Sequence, residues 1–480
     1  MLSKNKRGVD LQKKIQTSGF WKVNNCGTEY GGDLYVDQSE GIIALELHIP
    51  NKGAPLSYLA IPYTINFITG NIASGAKITL IDCKRYKTNF VFGKGDVFGY
   101  TARFLVNGYC FDSIDKIVFS QVSFRLSNLI EWGGISKYEI DFIEDYEFQL
   151  LAKPIEPTLL FSDDSIKISY MLCSHSIPLE ARKEELVFKQ EPNIIIESTV
   201  EQPIDFFIKK LIGIKQIIEL AIGAKTDILE IKPITSYISE QIDNSTFPVE
   251  FKMFHHYPQR NSYPPFRSYD FLFNMQNLID NANLTKWFEK YEMLEPILEL
   301  YIENLTNIDL SLNRKFLNMV QSLETYHSRI VCKGTLANYK KHVEKILKDV
   351  PPANKKKHED LLLADCNSKI TLKGRIYDLL LANFEIFFDT GDFSHTDLPQ
   401  KISDTRNYLT HYDVNKKKKA LHDQALADVY ITLKIILEYH IMRELGFDRE
   451  FVHEKIKEKE NYFKTSREIR KLDKKLKVDN

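Results

Sequence analysis

The chain has 480 residues, 43% of them apolar and 27% charged, with a formal net charge of −1. That is ordinary globular composition, and the length calls for two or three units with ample core. No stretch reaches the roughly 20 uninterrupted apolar residues of a membrane helix. The most apolar window, Phe206 to Ala224, is broken by Lys209, Lys210, Lys215 and Glu219. The charge is uneven: residues 401–480 hold 19 Lys+Arg against 14 Asp+Glu, a local +5 that suits a polyanion partner.

The opening MLSKNKRGVDLQKKIQ has no apolar run of the signal-peptide kind, so a cytoplasmic protein is expected, with no membrane partner. Six scattered cysteines, Cys26, Cys83, Cys110, Cys173, Cys332 and Cys366, form no C-x-x-C and stand near no histidine cluster. Reduced buried thiols are expected, and neither a metal nor a cofactor is implied. Fifteen of the 21 glycines fall at or before Gly134. There GIIALELHI (41–49), AKITLI (76–81), TARFLV (101–106) and KIVFSQVSFRL (116–126) read as strands, and TLLFS, IKISYML and ELVFK follow after Pro154. Residues 18–200 are expected to form an antiparallel sandwich-like or barrel-like unit. Gly31-Gly32 and Gly70–Gly75 read as turn glycines, and no GxxxxGK[ST] phosphate loop occurs in the chain.

From Pro203 the apolar period becomes helical, and residues 203–224 are expected as a helix. HHYPQRNSYPPFRSY (255–269) reads as a Pro- and aromatic-rich crossing, with a single-strand stacking surface as its functional alternative. Helices are expected near 270–282, 284–304, 313–331, 335–348, 370–388, 398–412 and 421–446, with a loop at 351–369. The fold class expected is α+β: a β-rich domain over 1–200, a helical connector over 201–310, an all-α bundle over 311–450 and a charged tail over 451–480.

ISDTRNYLTHYD (402–413) carries the chemistry. Leu398, Ile402, Thr405, Leu409 and Tyr412 step by 4, 3, 4 and 3 and form one apolar stripe. Arg406 with Thr410 and Asn407 with His411 are i,i+4 neighbours away from it. An imidazole can move the 2′-hydroxyl or leaving-group proton, a guanidinium can clamp a phosphate, and an amide can orient either. RNA brings its own nucleophile. Arg406 is the one arginine between Ile376 and Met442, a span with six lysines. An R-x4-H spacing alone occurs by chance, so the flanking sequence has to decide.

That sequence points one way. RNYLTHYD resembles the R-N-x3-H signature of HEPN domains, most closely those of ApeA-like anti-phage defence proteins. FLNMVQSLETYHSRI (316–330), GRIYDLLL (374–381) and ALADVYITLKIILEYHIMREL (425–445) resemble the flanking helices of that branch. SGFWKV, GGDLYV and GNIASGAKITLID are similar to its β-rich N-terminal domain, so the likeness covers roughly residues 15–447. The resemblance implies a homodimeric, metal-independent endoribonuclease with Arg406, Asn407 and His411 as catalytic residues. It implies an abortive-infection toxin acting on host RNA, tRNA among its targets, with a phage-derived trigger at a sensing N-terminal domain. Some HEPN domains are non-catalytic, so a nucleotide- or RNA-binding regulatory module is the alternative. A β domain acting as a carbohydrate- or peptide-binding sandwich lacks paired carboxylates to support hydrolysis.

Secondary candidates surround the motif. Lys416, Lys417, Lys418 and Lys419 oppose the dipole of the helix they precede, and read as RNA contacts or a solvated loop. Tyr412 is expected to pack in the core stripe, its hydroxyl within reach of the cleft. Glu324 and His327, at i,i+3, read as support for the motif together with Thr410, or in the case of His327 as a satisfied core histidine.

Overall fold

The computed structural model describes residues 14–24, 28–50, 61–91, 95–144, 147–174, 188–242, 245–259, 271–307, 309–331, 343–363, 370–381, 397–412 and 414–458. The chain divides into two compact units, residues 1–215 with 226–266, and residues 216–225 with 267–480. The class is α+β, β-rich first and helical after.

The first unit is built on a closed antiparallel barrel. Its strands are β1 (Lys14–Val23), β2 (Glu29–Asp37), β3 (Ile42–Ile49), β4 (Thr64–Ile72), β5 (Lys77–Val91) and β6 (Gly95–Asn107). They pair in the order β1-β2-β3-β6-β5-β4, and β4 returns to β1. Period-2 alternation sends Leu34, Val36, Leu45, Leu47, Ile68 and Ile78 into one buried cluster around Trp21. Gly32 and Gly70 lie in β2 and β4, not in turns. A Cβ on Gly70 would stand 2.3 Å from the Trp21 ring, and one on Gly32 would stand 2.5 Å from the Glu46 carbonyl. The turn glycine is Gly75, at φ +83°.

Beyond Thr101 the edge of β6 passes from β3 to β15 (Lys252–His255), and the sheet continues open. It runs through β13 (Ile228–Ile242), β7 (Phe119–Leu126), β12 (Gln190–Gln202), β11 (Ile166–Ser174) and β10 (Thr158–Ser162), with β14 (Ser245–Glu250) added to β13. The short α1 (Leu129–Gly133) and the separate hairpin of β8 (Tyr138–Glu144) with β9 (Glu147–Ala152) complete it. The helical connector expected over 201–310 is therefore interrupted by strands at Ile228–Ile242, Ser245–Glu250 and Lys252–His255. Ile231, Pro233 and Thr235 alternate inward, and Pro233 sits opposite Val122 of β7. The expected strand ELVFK falls at 185–189, of which 185–187 lie outside the described residues and 188–189 form no strand. Residues 260–269 of the expected crossing lie outside them too.

The division falls inside α2 (Ile204–Ile222). The second unit holds α3 (Met275–Asn281), α4 (Leu284–Thr306), α5 (Leu312–Tyr326), α6 (Pro352–Leu363), α7 (Leu372–Leu381), α8 (Leu398–His411), α9 (Val414–Lys417), α10 (Asp423–Leu445) and α11 (Arg449–Glu458). A π turn at His327–Val331 extends α5. α10 is the centre of the bundle: Val429, Leu433, Leu437, Ile441 and Leu445 are fully or almost fully buried, and it packs on α4 and α5. α5 meets α4, α7, α8 and α10.

One expectation fails here. Residues 352–363 are helix rather than loop: Pro351-Pro352 open the helix where a missing N–H costs nothing, and the polar formers after them need no buried face. The charged segment after 450, expected as a solvated helix or frayed tail, begins as helix, and Val452 and Ile456 give it a buried stripe. Residues 364–369 and 459–480 lie outside the described set, as do 335–342 of the helix expected at 335–348 and 382–388 of that expected at 370–388. Among the described residues no helix is long and apolar enough to cross a membrane.

Candidate active site

α8 presents the motif. Pro399 lies in its first turn, and it ends where Tyr412 turns into the left-handed region at φ 52° and donates its N–H to the Tyr408 carbonyl at 2.7 Å. Leu398, Ile402 and Thr405 are buried at 3%, 0% and 0% exposure. Leu409 is half-buried. Tyr412 is not core but 72% exposed, because the reversal at the helix end takes it off the 3.6-residue period.

Two contacts fix the far side of α8. Thr405 Oγ1 donates to the Lys401 carbonyl at 2.7 Å and accepts the Leu421 N–H at 2.8 Å, which ties down the chain after the lysine run. Asp404, only 4% exposed, accepts from Lys416 Nζ at 2.6 Å. Burial pushes its carboxyl up, but Lys416, Gln400 and Lys419 outweigh that and hold it below the usual range. Lys416 is therefore engaged within the chain, whereas Lys417, Lys418 and Lys419 are exposed.

On the solvent side, Arg406 is half-buried. Its Nη1 donates to Asn407 Oδ1 at 3.2 Å, and its Nη2 stands 3.8 Å from Glu324 Oε2 of α5. Thr410 Oγ1 donates to the Arg406 carbonyl at 2.7 Å. His411, the last helical residue, is exposed, and Tyr408 beside it lies edge-on to both Tyr412 and His422, with ring centroids 6.0 Å apart in each pair. A groove of about 370 Å³ runs between α5 and α8, lined by Leu317, Gln321, Glu324, Arg406, Leu409 and Thr410 among others. The structure thus brings Arg406, Asn407, Thr410 and Glu324 together. Asn407 and His411 are not among the groove's lining residues.

His327 lies elsewhere. It is fully buried, with Nε2 at 3.0 Å from Asp378 Oδ2 and Nδ1 at 3.3 Å from Arg375 Nη1, both from α7. A guanidinium only donates, so Nδ1 accepts and Nε2–H donates to Asp378. His327 joins α5 to α7. Nearby His440 is buried, with Nε2 3.2 Å from the Leu379 carbonyl. Burial lowers its pKa to about 4, His327 adds to that, and the carbonyl and Glu444 oppose it.

Sequence reasoning missed Asp404, Arg375, Asp378 and Tyr408. Two had a readable signal: Arg375 and Asp378 stand at i,i+3 in the apolar GRIYDLLL, where charged side chains need partners.

Residues 16–287 match the family model described as ApeA N-terminal domain 1, and residues 317–451 match that described as Apea-like HEPN. No curated protein and no solved structure matches the chain.

Proposed function

The chain belongs to the ApeA family, an ApeA N-terminal domain joined to an ApeA-like HEPN domain, and from that premise we propose that it is a metal-independent endoribonuclease of bacterial anti-phage defence. Arg406 clamps the scissile phosphate and stabilises the charge that grows on it in the transition state. His411 moves the proton, as base toward the 2′-hydroxyl or acid toward the leaving oxygen. Asn407 holds the guanidinium from the side and shares a face with His411. A second copy of the chain completes the site, so the active form is a homodimer through the HEPN domain. The substrate is host RNA, with tRNA as the candidate target. The β-rich domain receives the phage-derived trigger, and the toxin acts in the cytoplasm.

One observation carries the reading. A half-exposed guanidinium, held by an amide and a carboxylate, stands at the edge of a groove, five residues along the same helix from an exposed imidazole. Purified chain incubated with total RNA and a chelator should give discrete fragments, and Arg406→Ala should abolish them. RNA retained without cleavage by the parental chain would favour the non-catalytic binding module instead.

A further inference from the structure

The groove beside Arg406 has the makings of more than a phosphate clamp. Arg314, Leu317, Val320, Gln321 and Glu324 fall within about 120° on one face of α5, and Arg406, Leu409 and Thr410 close the groove from α8. Val320 is fully buried, and Leu317 and Leu409 are half-buried, so the floor is apolar. The polar groups stand at its rim and ends. Its volume of about 370 Å³ is at the small end of the roughly 300–1,000 Å³ of small-ligand pockets.

Resting on the nuclease reading, we infer that this groove is a nucleobase subsite for the nucleotide next to the cut bond, and that Glu324 selects guanine there. The apolar floor takes a base face, as single-stranded RNA sites do with splayed-out bases. Arg406 at one end holds the attached phosphate, and Arg314, ten residues along α5 from Glu324, is placed for a neighbouring one. Selection follows from the carboxylate. An ionised carboxylate only accepts hydrogen bonds. Guanine offers it two donors side by side, N1–H and the 2-amino group, which two carboxylate oxygens meet together. Cytosine and adenine place a lone pair beside their amino group, and uracil flanks its single N–H with two carbonyls. Glu324 turns Oε2 toward Arg406, and Oε1 has no hydrogen-bond partner among the described residues. Gln321, one turn earlier and exposed, adds a donor for the guanine carbonyl.

The test uses the full-length chain and short RNAs carrying each of the four bases beside one cleavable bond. Cleavage next to guanine should exceed that next to uracil by roughly 5- to 150-fold, the usual discrimination of a two-point contact. Glu324→Gln should bring that ratio close to one while RNA is still cut, and Gln321→Ala, at an exposed position, should reduce it. A ratio unchanged in both variants overturns the subsite and leaves the nuclease reading standing. If the parental chain cuts no RNA, the nuclease reading fails, and binding of 3′-GMP against 3′-UMP by calorimetry decides the subsite alone. Tighter 3′-GMP binding that Glu324→Gln removes supports it, and equal affinities overturn it.

Discussion

Two histidines in the bundle should respond to alanine in opposite ways, and the contrast separates catalysis from architecture. His411 is exposed at the end of α8, so His411→Ala removes no core contact and should change stability by no more than about 0.5 kcal/mol. Loss of a positioned proton-transfer group typically slows a reaction by about 10²- to 10⁴-fold. His327 is fully buried and bridges Arg375 and Asp378 at 3.3 and 3.0 Å. His327→Ala opens a cavity and breaks both hydrogen bonds, costing about 2–4 kcal/mol. The assay pairs a chevron or urea melt of each variant with initial cleavage rates on a labelled RNA in chelator. The expected pattern is an unchanged melt with at least a hundredfold rate loss for His411→Ala, and a shifted melt for His327→Ala whose rate loss tracks its unfolded fraction. A His411→Ala chain that folds normally and cuts within a few-fold of the parental rate would refute the assignment of the imidazole.

Arg406→Lys should retain RNA binding but lose most cleavage, since an ammonium cannot present two parallel donors or hold the Asn407 contact; a rate within threefold of the parent would count against the clamp. Replacing Lys417, Lys418 and Lys419 by alanine should lower the slope of log affinity against log salt by about 2 for single-stranded RNA, whereas Lys416→Ala should instead cost about 1–3 kcal/mol of stability through the buried Asp404. His440 titrates near 4 in the fold against 6.5 for a free imidazole, so its neutral form stabilises the bundle above pH 6.5 and that stability, about 3 kcal/mol, is lost as pH falls toward 4. The groups around it, Tyr326, Tyr439, His327 and Glu444, are left in place by His440→Gln, which should flatten the loss of urea midpoint between pH 7 and 4.5. Mixing Arg406→Ala with His411→Ala chains should restore about a quarter of parental activity if each site takes its Arg and His from different subunits, and none if a single chain supplies both.

What the sequence made legible was local. The inward alternation of β3 and the 4-3 spacing of Leu398, Ile402 and Thr405 are periodicities, and each predicts its own buried face. A barrel-like unit was among the expectations, but the strand order was not legible, because Gly19 pairs with Ile72 to close the barrel and His255 with Phe104 to extend the sheet, and pairings between distant segments leave no mark at either end. Residues 228–242 alternate as a strand should, but Pro233 inside the run argues against a paired strand, and only the structure shows it seated opposite Val122 with its carbonyl accepting the Phe251 N–H at 2.9 Å. The same holds at the site. Arg406, Asn407 and His411 stood out by type and spacing, while the partners that hold α8 and its surroundings came from far away: Glu324 by Arg406, and Arg375 and Asp378 by His327, 48 and 51 residues along the chain.

The phase of α8 says something further about how such a site can work. At about 100° per residue, Thr410 stands about 40° from Arg406, whereas His411 stands about 140° away and about 40° from Asn407. Arg406 and Thr410 accordingly line the groove against α5, and Asn407 and His411 belong to the next face. A phosphate held in that groove lies beside the imidazole, not in front of it. The Asn407 contact draws the guanidinium toward the His411 face, but the reach of one arginine does not close 140° of helix. In the proposed homodimer a second α8 can bring its own imidazole to that phosphate, so that the 140° within one helix need not be closed. On that proposal a chain held monomeric keeps its clamp and its base but should lose cleavage, because no place remains where both reach one phosphate.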